Sequence, residues 1–295
     1  MHTDLRVPLV SIVLPTYNGA RYIDQAIDSC LRQTHRLLEL IVVDDGSRDD
    51  TAARVEAYLG RDERLRLVQH GRNRTLPVAL NTGFSMARGD YLTWTSDDNI
   101  YHPEALAKMV AFLEDQPDVG MVYTDYSLID EQDRVLERKS AGEPDRMLSE
   151  EYNCLSPCFL YRRRVKDVVG DYATGLYLAE DYDYWLRVSR SFRLSPYHED
   201  LYSYRAHPAS LSARYRGRLD PLLERVLARH LRVARVPAST KSALFFMFAQ
   251  RTRARGDALG MVGHLAQSWV YSPRAFAQCL ARALHKRIRH HQYAP

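Results

Sequence analysis

An α/β protein, with a mostly parallel sheet flanked by helices and a helical C-terminal extension, is what the sequence predicts, and three observations predict it. Four short apolar runs, residues 10–14, 38–43, 65–68 and 91–94, alternate with stretches of helical periodicity. The runs are near-continuously apolar instead of alternating, as parallel strands covered on both faces are. Charge then divides the chain. Residues 221–295 carry thirteen Lys and Arg against two acidic residues, Glu224 and Asp257, a net of +11 that leaves the first 220 residues at −7 in a chain of +4. An acidic front and a basic back suggest two jobs, chemistry with a cation in the first and contact with something anionic in the second. The expected division is a sheet domain over 1–218 and a basic helical extension over 219–295.

Taken in order, Val10-Ser11-Ile12-Val13-Leu14 makes the first strand, and Ile23, Ile27, Cys30 and Leu31 recur behind it at helical spacing. The second strand, 38–43, leads to a helix over 50–59 that is offered caps by Ser47, Asp49 and Asp50. After a third strand at 65–68, Leu76, Leu80, Gly83 and Ala87 lie along one helix face, and the fourth strand follows at 91–94. Pro103 opens the next helix, where its missing N–H costs nothing, with Leu106, Met109, Val110 and Leu113 inward. Past a strand at 119–123 the pattern loosens into a hairpin through 130–134 and a polar, mobile loop over 139–151. A helix over 180–191, a strand at 202–205 and a polar connection over 208–217 lead into the helical extension.

With 295 residues, 45% hydrophobic and 26% charged, the chain can bury a full core. Its longest apolar stretches fall short of the roughly 20 residues that cross a bilayer. Met1-His2-Thr3-Asp4-Leu5-Arg6 lacks the basic start and apolar segment of a signal peptide, so a cytoplasmic location is expected. Four cysteines without a second pair at zinc-ligand spacing point to buried or free thiols, Cys154 and Cys158 among them.

In open α/β sheets, ligands bind beyond the carboxyl ends of the strands. Those ends read Pro15-Thr16-Tyr17-Asn18-Gly19, Asp44-Asp45-Gly46-Ser47 and Thr95-Ser96-Asp97-Asp98-Asn99. Two carboxylates about 4 Å apart at an effective dielectric near 20 repel by roughly 4 kcal/mol, so placing Asp97 beside Asp98 in a cleft makes sense with a shared cation. Oxygen ligands suit Mg²⁺ or Mn²⁺. The competing picture is a solvated acidic turn before a helix. Of Asp44 and Asp45, one is suited to accept from a base or ribose and the other to cap the next helix. The ring of Tyr17 could stack on a base or wall the core. On a helix Asp181, Tyr184, Trp185 and Val188 share one face, which sets Asp181 among aromatics, while Asp183 pairs with Arg187 at i+4.

The run Val10-Ser11-Ile12-Val13-Leu14-Pro15-Thr16-Tyr17-Asn18-Gly19 and the run Ile41-Val42-Val43-Asp44-Asp45-Gly46-Ser47-Arg48-Asp49-Asp50-Thr51 resemble the two opening motifs of glycosyltransferase family 2. Gly89-Asp90-Tyr91-Leu92-Thr93-Trp94-Thr95-Ser96-Asp97-Asp98-Asn99 resembles the third, and Asn81, Gly83 and Gly89 fall where the family has them. The resemblance, spanning roughly residues 8–210, implies the Rossmann-like GT-A fold. It also implies inverting transfer of a sugar from a nucleoside diphosphate, UDP by preference, to a saccharide or lipid-linked acceptor hydroxyl in cell-surface polysaccharide or glycan assembly. By the same resemblance Pro15, Thr16, Tyr17, Asp45 and Asp97 contact the nucleotide, and Asp97 and Asp98 hold Mn²⁺ or Mg²⁺ against the diphosphate. Glu180-Asp181 resembles the family's Glu-Asp motif, in which the aspartate is the general base. His207, in Tyr204-Arg205-Ala206-His207-Pro208, is similar to a histidine that approaches the metal or diphosphate. Many relatives carry an arginine just before the position of Asn81; here it is Leu80, which leaves that positive charge to Arg74 or Arg72. The Gln-x-x-Arg-Trp motif of processive members is missing, which favours transfer of single sugars.

In the last helix Phe276, Cys279, Leu280, Ala283, Leu284 and Ile288 form an apolar face opposite Arg274, Arg282, Lys286 and Arg289. Such a helix is expected either to dock on an anionic membrane or to pack on the catalytic domain. Nucleic acid is not an expected partner, because the basic residues come without a recognised binding module. A non-catalytic nucleotide- or Mg-binding module is the alternative from another class, but such modules carry their acidic pair after the first strand. A nucleotidyltransferase or a dinucleotide oxidoreductase would need a glycine-rich phosphate loop there, and the chain has Pro15-Thr16-Tyr17 instead.

Overall fold

The structure, a computed structural model, describes residues 7–148 and 155–292. The N-terminal Met1-to-Arg6 stretch, Cys154 and the end of the loop expected over 139–151 lie outside the described residues, as do the side chains of Leu284, Lys286, Ile288 and Arg289. The described residues fall into two compact units, one of residues 7–147 and 155–220 and one of residues 221–292.

The first unit opens with β1 (Val10–Thr16), α1 (Ile23–Leu31), β2 (Leu38–Asp44), α2 (Thr51–Leu59), β3 (Leu65–Gln69), α3 (Leu76–Met86) and β4 (Tyr91–Trp94). Every residue of β1 and β2 is buried, which is why the sequence shows them as near-continuous apolar runs, interrupted at Ser11 and Glu39. α1 buries Ile23, Ala26, Ile27, Cys30 and Leu31, the stripe its periodicity announces. At about 1.5–3 kcal/mol for each large apolar side chain taken from water, this stripe and the two strands anchor the core. β5 (Ile100–Tyr101), α4 (Ala105–Asp115), β6 (Val119–Ile129), β7 (Val135–Lys139), β8 (Phe159–Arg162), α5 (Arg163–Val169), α6 (Glu180–Val188), β9 (Arg193–Arg205) and α7 (Leu211–Arg214) follow. The polar stretch after β7 contains a 3-10 turn, Pro144–Leu148.

The sheet has nine strands in the order β3-β2-β1-β4-β8-β6-β9-β5, with β7 paired to β6. Its first half, β3 to β4, is parallel. Beyond β4 it is mixed: β8 runs antiparallel to both neighbours, β9 parallel to β6, and β5 antiparallel to β9. The sheet expected to be mostly parallel is parallel throughout the half built by helical crossovers and again between β6 and β9, since only a crossover returns a strand in the same direction. The expected hairpin is the β6–β7 turn, closed by Asp130 N donating to Arg134 O at 3.0 Å. The last expected strand, 202–205, is the end of the much longer β9.

Register positions the motifs. Thr16 lies opposite Asp44, so the first two motif loops leave the sheet side by side. Asp45 N donates to Thr16 O at 2.8 Å, and Thr95 N donates to Val13 O at 3.0 Å as the third motif departs from β4. At the opposite end, buried Glu39 accepts from Ser11 Oγ, Arg88 N and Arg66 Nη2, each at 2.6 Å. Burial pushes its carboxyl up, but the bonds from Ser11 and Arg88 and the charge of Arg66 prevail and hold it below the usual glutamate value.

The second unit is helical: α8 (Arg216–Leu231), which begins in the first unit, then α9 (Ala238–Ala254), α10 (Ala258–Tyr271) and α11 (Pro273–Gln292). α9 buries Leu244, Phe245, Phe246, Phe248 and Ala249 and is its spine. Tyr271 of α10 stacks on Phe245 with centroids 5.5 Å apart, and Phe276 of α11 packs edge-on against Phe246 at 5.7 Å. Cys30 and Cys158 are buried free thiols, and Cys279 is a half-buried one. Among the described residues no helix is long and apolar enough to cross a membrane.

Candidate active site

The loops after β1 and β2 are stitched together. Asn18 N donates to Ser47 Oγ at 2.9 Å, Arg48 N to Asn18 Oδ1 at 2.8 Å, and Ala20 N to Asp49 Oδ2 at 3.3 Å. Asn18 adopts φ 55° to make this turn. Beyond them opens a cleft of about 500 Å³, lined by Tyr17, Asp44, Arg48, Gln69, His70 and Arg72 among others, a volume suited to a ligand of nucleotide size. Tyr17 presents an exposed ring to it, while Pro15 and Thr16 are buried beneath. Gly46 has φ +78°, and a Cβ there would lie 2.6 Å from the Arg72 carbonyl carbon, so the 70–73 loop can press against it only because it is glycine.

The two aspartates of the second motif divide the work. Asp44 lines the cleft and its Oδ1 accepts from Ser47 N at 2.9 Å. Asp45 is buried; it takes His70 Nδ1 at 2.6 Å and Arg74 N at 2.9 Å, which fastens the loop after β3. Arg74 thus serves through its backbone, and its side chain is exposed, whereas Arg72 reaches the cleft. His70, whose Nε2 also meets Thr82 Oγ1 at 3.1 Å, was invisible to sequence reasoning because it follows an ordinary strand end without a motif.

At the third motif, Thr16 Oγ1 donates to Asp97 Oδ2 at 2.5 Å, which joins it to the first. A Cβ on Gly19 would stand 2.0 Å from that same carboxylate oxygen. Burial first, then the charge of Asp98, pushes the Asp97 carboxyl up to about 7 against the hydrogen bonds from Thr16 and Tyr17 N. Asp98 Oδ2 meets His207 Nε2 at 2.9 Å, and the Tyr22 ring stands edge-on to His207 at 5.4 Å. Buried Arg205 braces this corner: its Nε donates to Asp98 O at 2.9 Å, its N to Asn99 Oδ1 at 2.8 Å, and its guanidinium lies 4.5 Å over the Tyr22 ring. Sequence reasoning quoted Arg205 without giving it a role; its signal is a lone arginine ending a strand beside His207.

Asp181 is half-buried in the first turn of α6, above buried Tyr184, Trp185 and Val188. Asp183 pairs with Arg187 at 2.8 Å, as its spacing predicts. Glu180 is the surprise of this motif. It is buried, one oxygen lacks a hydrogen-bond partner among the described residues, and burial, then Asp181, pushes its carboxyl up to about 8. Two tyrosines tie α6 to the other motifs. Burial first raises the phenol of Tyr204, which also lies in the fields of both Asp98 and Asp181. Tyr177 is raised by burial and lies in the fields of Glu180 and Asp45. The family positions outside the motifs prove structural: Asn81 exchanges hydrogen bonds with the Tyr172 backbone at 2.9 Å, and Gly83 and Gly89 press against Val13 and Ser11.

A cleft at the carboxyl rim of a parallel half-sheet, flanked by an acidic pair, places the protein among α/β proteins whose ligands sit at strand ends. Residues 11–170 match the family described as Glycosyl transferase family 2. An uncharacterised glycosyltransferase of Rickettsia prowazekii is 33% identical over 227 residues, covering 71% of this chain and 67% of its own length. One of Rickettsia felis is 34% identical over 206 residues, 65% of this chain and 33% of its own; the chain thus spans about two thirds of the former and a third of the latter. Among solved structures, S. aureus TarS 1-349 in complex with UDP superposes with a TM-score of 0.66 at 21% identity, over 92% of this chain and 82% of that one. The mannosyltransferase PcManGT from Pyrobaculum calidifontis, in complex with GDP-Man and Mn²⁺, gives 0.61 at 19% identity over 95% and 81%. The chain belongs to glycosyl transferase family 2, and its fold is GT-A.

Proposed function

We propose that the protein is an inverting, metal-dependent glycosyltransferase that moves a single sugar from a nucleoside-diphosphate sugar, UDP-linked by preference, to an acceptor hydroxyl during assembly of a cell-surface polysaccharide or other glycan. What supports this is the Thr16–Asp97 bond, which ties the acidic pair to the motif loop lining the nucleotide-sized cleft, with Tyr204 in the fields of both Asp98 and Asp181. TarS is solved with UDP and UDP-GlcNAc, and PcManGT with GDP-Man. Uracil and guanine both offer a ring N–H that an aspartate at the cleft wall can accept. Tyr17 then stacks on the base, Asp44 faces its N–H edge, Asp45 holds the wall through His70 and Arg74 N, and Arg72 meets the diphosphate.

The acidic pair fits a divalent ion. Adjacent carboxylates, one driven up to about 7 by burial and its neighbour, lack the positive charge that such an ion brings. Among the described residues no group of three or more His, Cys, Asp and Glu would hold a metal unaided, so Asp97 and Asp98 would hold the ion together with the substrate's phosphates, as in Mg²⁺ sites built on one or two carboxylates. Bound Mn²⁺ or Mg²⁺ supplies Lewis acidity toward the departing diphosphate. His207 keeps the Asp98 carboxylate oriented, and Asp181 accepts the acceptor hydroxyl's proton at a carboxylate oxygen. Attack opposite the leaving diphosphate inverts the anomeric carbon.

A panel of nucleotide sugars with Mn²⁺ tests the assignment, with transfer or hydrolysis expected for a UDP-sugar. Asp181→Asn is expected to bind UDP as wild type does and to lose about 10³-fold in transfer, whereas Asp98→Asn loses metal-dependent binding itself. Undiminished transfer by the Asp181→Asn protein would remove the base from the mechanism.

A further inference from the structure

The outward face of α10 is the reverse of what a surface helix presents. Leu259, Val262, Ala266, Trp269 and Val270 fall within an arc of about 100° at 3.6 residues per turn. Every one is exposed, Leu259 by 88%, Val262 by 58%, Trp269 by 53% and Val270 by 77%. The helix holds no Asp, Glu, Lys or Arg. This arc is not a core face left unfilled, because the opposite side of α10 is already packed: Ser268 is buried against Ser242, and Tyr271 and His264 lie on Phe245. The last helix, expected either to dock on a membrane or to pack on the catalytic domain, sets Phe276 against Phe246 and Trp269 at 5.7 and 5.6 Å.

Residues 221–295, which hold this helix, carry a net charge of +11. Exposed Arg253 precedes α10 and exposed Arg274 follows it. Of the two acidic residues of 221–295, Glu224 is buried against Arg255, and Asp257, exposed at the head of α10, caps the helix by accepting from Gly260 N at 2.8 Å. A second copy of the chain would bring the same cationic surface to the contact, so self-association is opposed. A surface both apolar and anionic matches it. We propose that α10 lies in the headgroup interface of an anionic lipid bilayer, its apolar arc among the first acyl carbons and Arg253 and Arg274 on lipid phosphates. At 14 residues it runs about 21 Å, fit to lie flat and too short to span. This holds whatever sugar the catalytic cleft takes.

Flotation of the full chain with phosphatidylcholine vesicles, with and without phosphatidylglycerol, tests it. Binding is expected only with phosphatidylglycerol, weakening about fivefold for each charge removed in Arg253→Gln and Arg274→Gln. Val262→Asp with Val270→Asp, at exposed positions that leave the melting temperature unchanged, should abolish binding. Trp269 fluorescence should be quenched by lipids brominated near the headgroup, and Trp269→Phe should remove that quenching while Trp94 and Trp185 stay unquenched. Absence of binding to anionic vesicles, binding that survives both aspartates without Trp269 quenching, or a dimer in solution that the aspartates dissolve would each overturn the proposal. If the double variant does not fold, the quenching of the wild-type chain decides alone.

Discussion

At the scale of single residues, chemistry and strain meet at Gly19 and Glu180. Gly19 is glycine because any side chain would strike the Asp97 carboxylate, 2.0 Å from where its Cβ would stand. Gly19→Ala should therefore push Asp97 off Thr16 and weaken Mn²⁺-UDP binding at least about tenfold, read by calorimetry, with the melting temperature little changed. Glu180 carries the opposite burden, a buried carboxyl pushed from 4.5 up to about 8. Its neutral form suits the fold, so the stability tied to it is whole below about pH 4.5 and is lost as pH rises toward 8. Glu180→Gln keeps the neutral state at every pH and should gain on the order of 2 kcal/mol over wild type at pH 8 and almost nothing at pH 4. Thermal melts at the two pH values decide; an equal effect at both would mean that Glu180 is ionised in the fold.

Elements translate these residues into a site. The loop after β3 has no regular structure to hold it, and Asp45 does so through His70 and the Arg74 amide. Asp45→Ala should cost about 2 kcal/mol, the range of charge-assisted bonds, and speed hydrogen exchange across 70–74 while leaving β1 protected. If exchange in that segment is unchanged, Asp45 is not its anchor. The strands of the parallel half were legible because burial on both faces writes a near-continuous apolar run. β8 and β9 were not, apart from the end of β9: Phe159–Arg162 runs directly into the charged Arg163 and Arg164, and Arg193–Arg205 contains Pro196 and four charged residues. Pairing with β6 makes β9 a strand, and no local pattern announces a partner more than sixty residues away.

Across the whole molecule, the sheet separates stability from chemistry. Its carboxyl rim gathers the aspartates, while its other end is pinned by Glu39, which joins β1, β2, β3 and the turn before β4. The Glu39 carboxyl is held below the usual value, so the stability it brings is present above about pH 4.5 and is lost as pH falls through its lowered value. Glu39→Gln should cost about 2 kcal/mol at neutral pH and leave nucleotide affinity as it was; a parallel loss of affinity would show that the two ends are coupled. The second unit repeats the separation in charge, with Glu224 consumed internally and Arg253 and Arg274 exposed on its surface.

The parallel half of the sheet, the acidic pair, the aspartate at the head of α6 and the basic extension are legible in the amino-acid order, because burial, helical periodicity and charge are written locally. The packed chain alone shows that Asp45 clamps a loop while Asp44 faces the cleft, that Arg205 and His70 brace the site, and that α10 carries an exposed apolar face of its own. Those outcomes depend on which surfaces other elements cover, and coverage is a property of the packed chain.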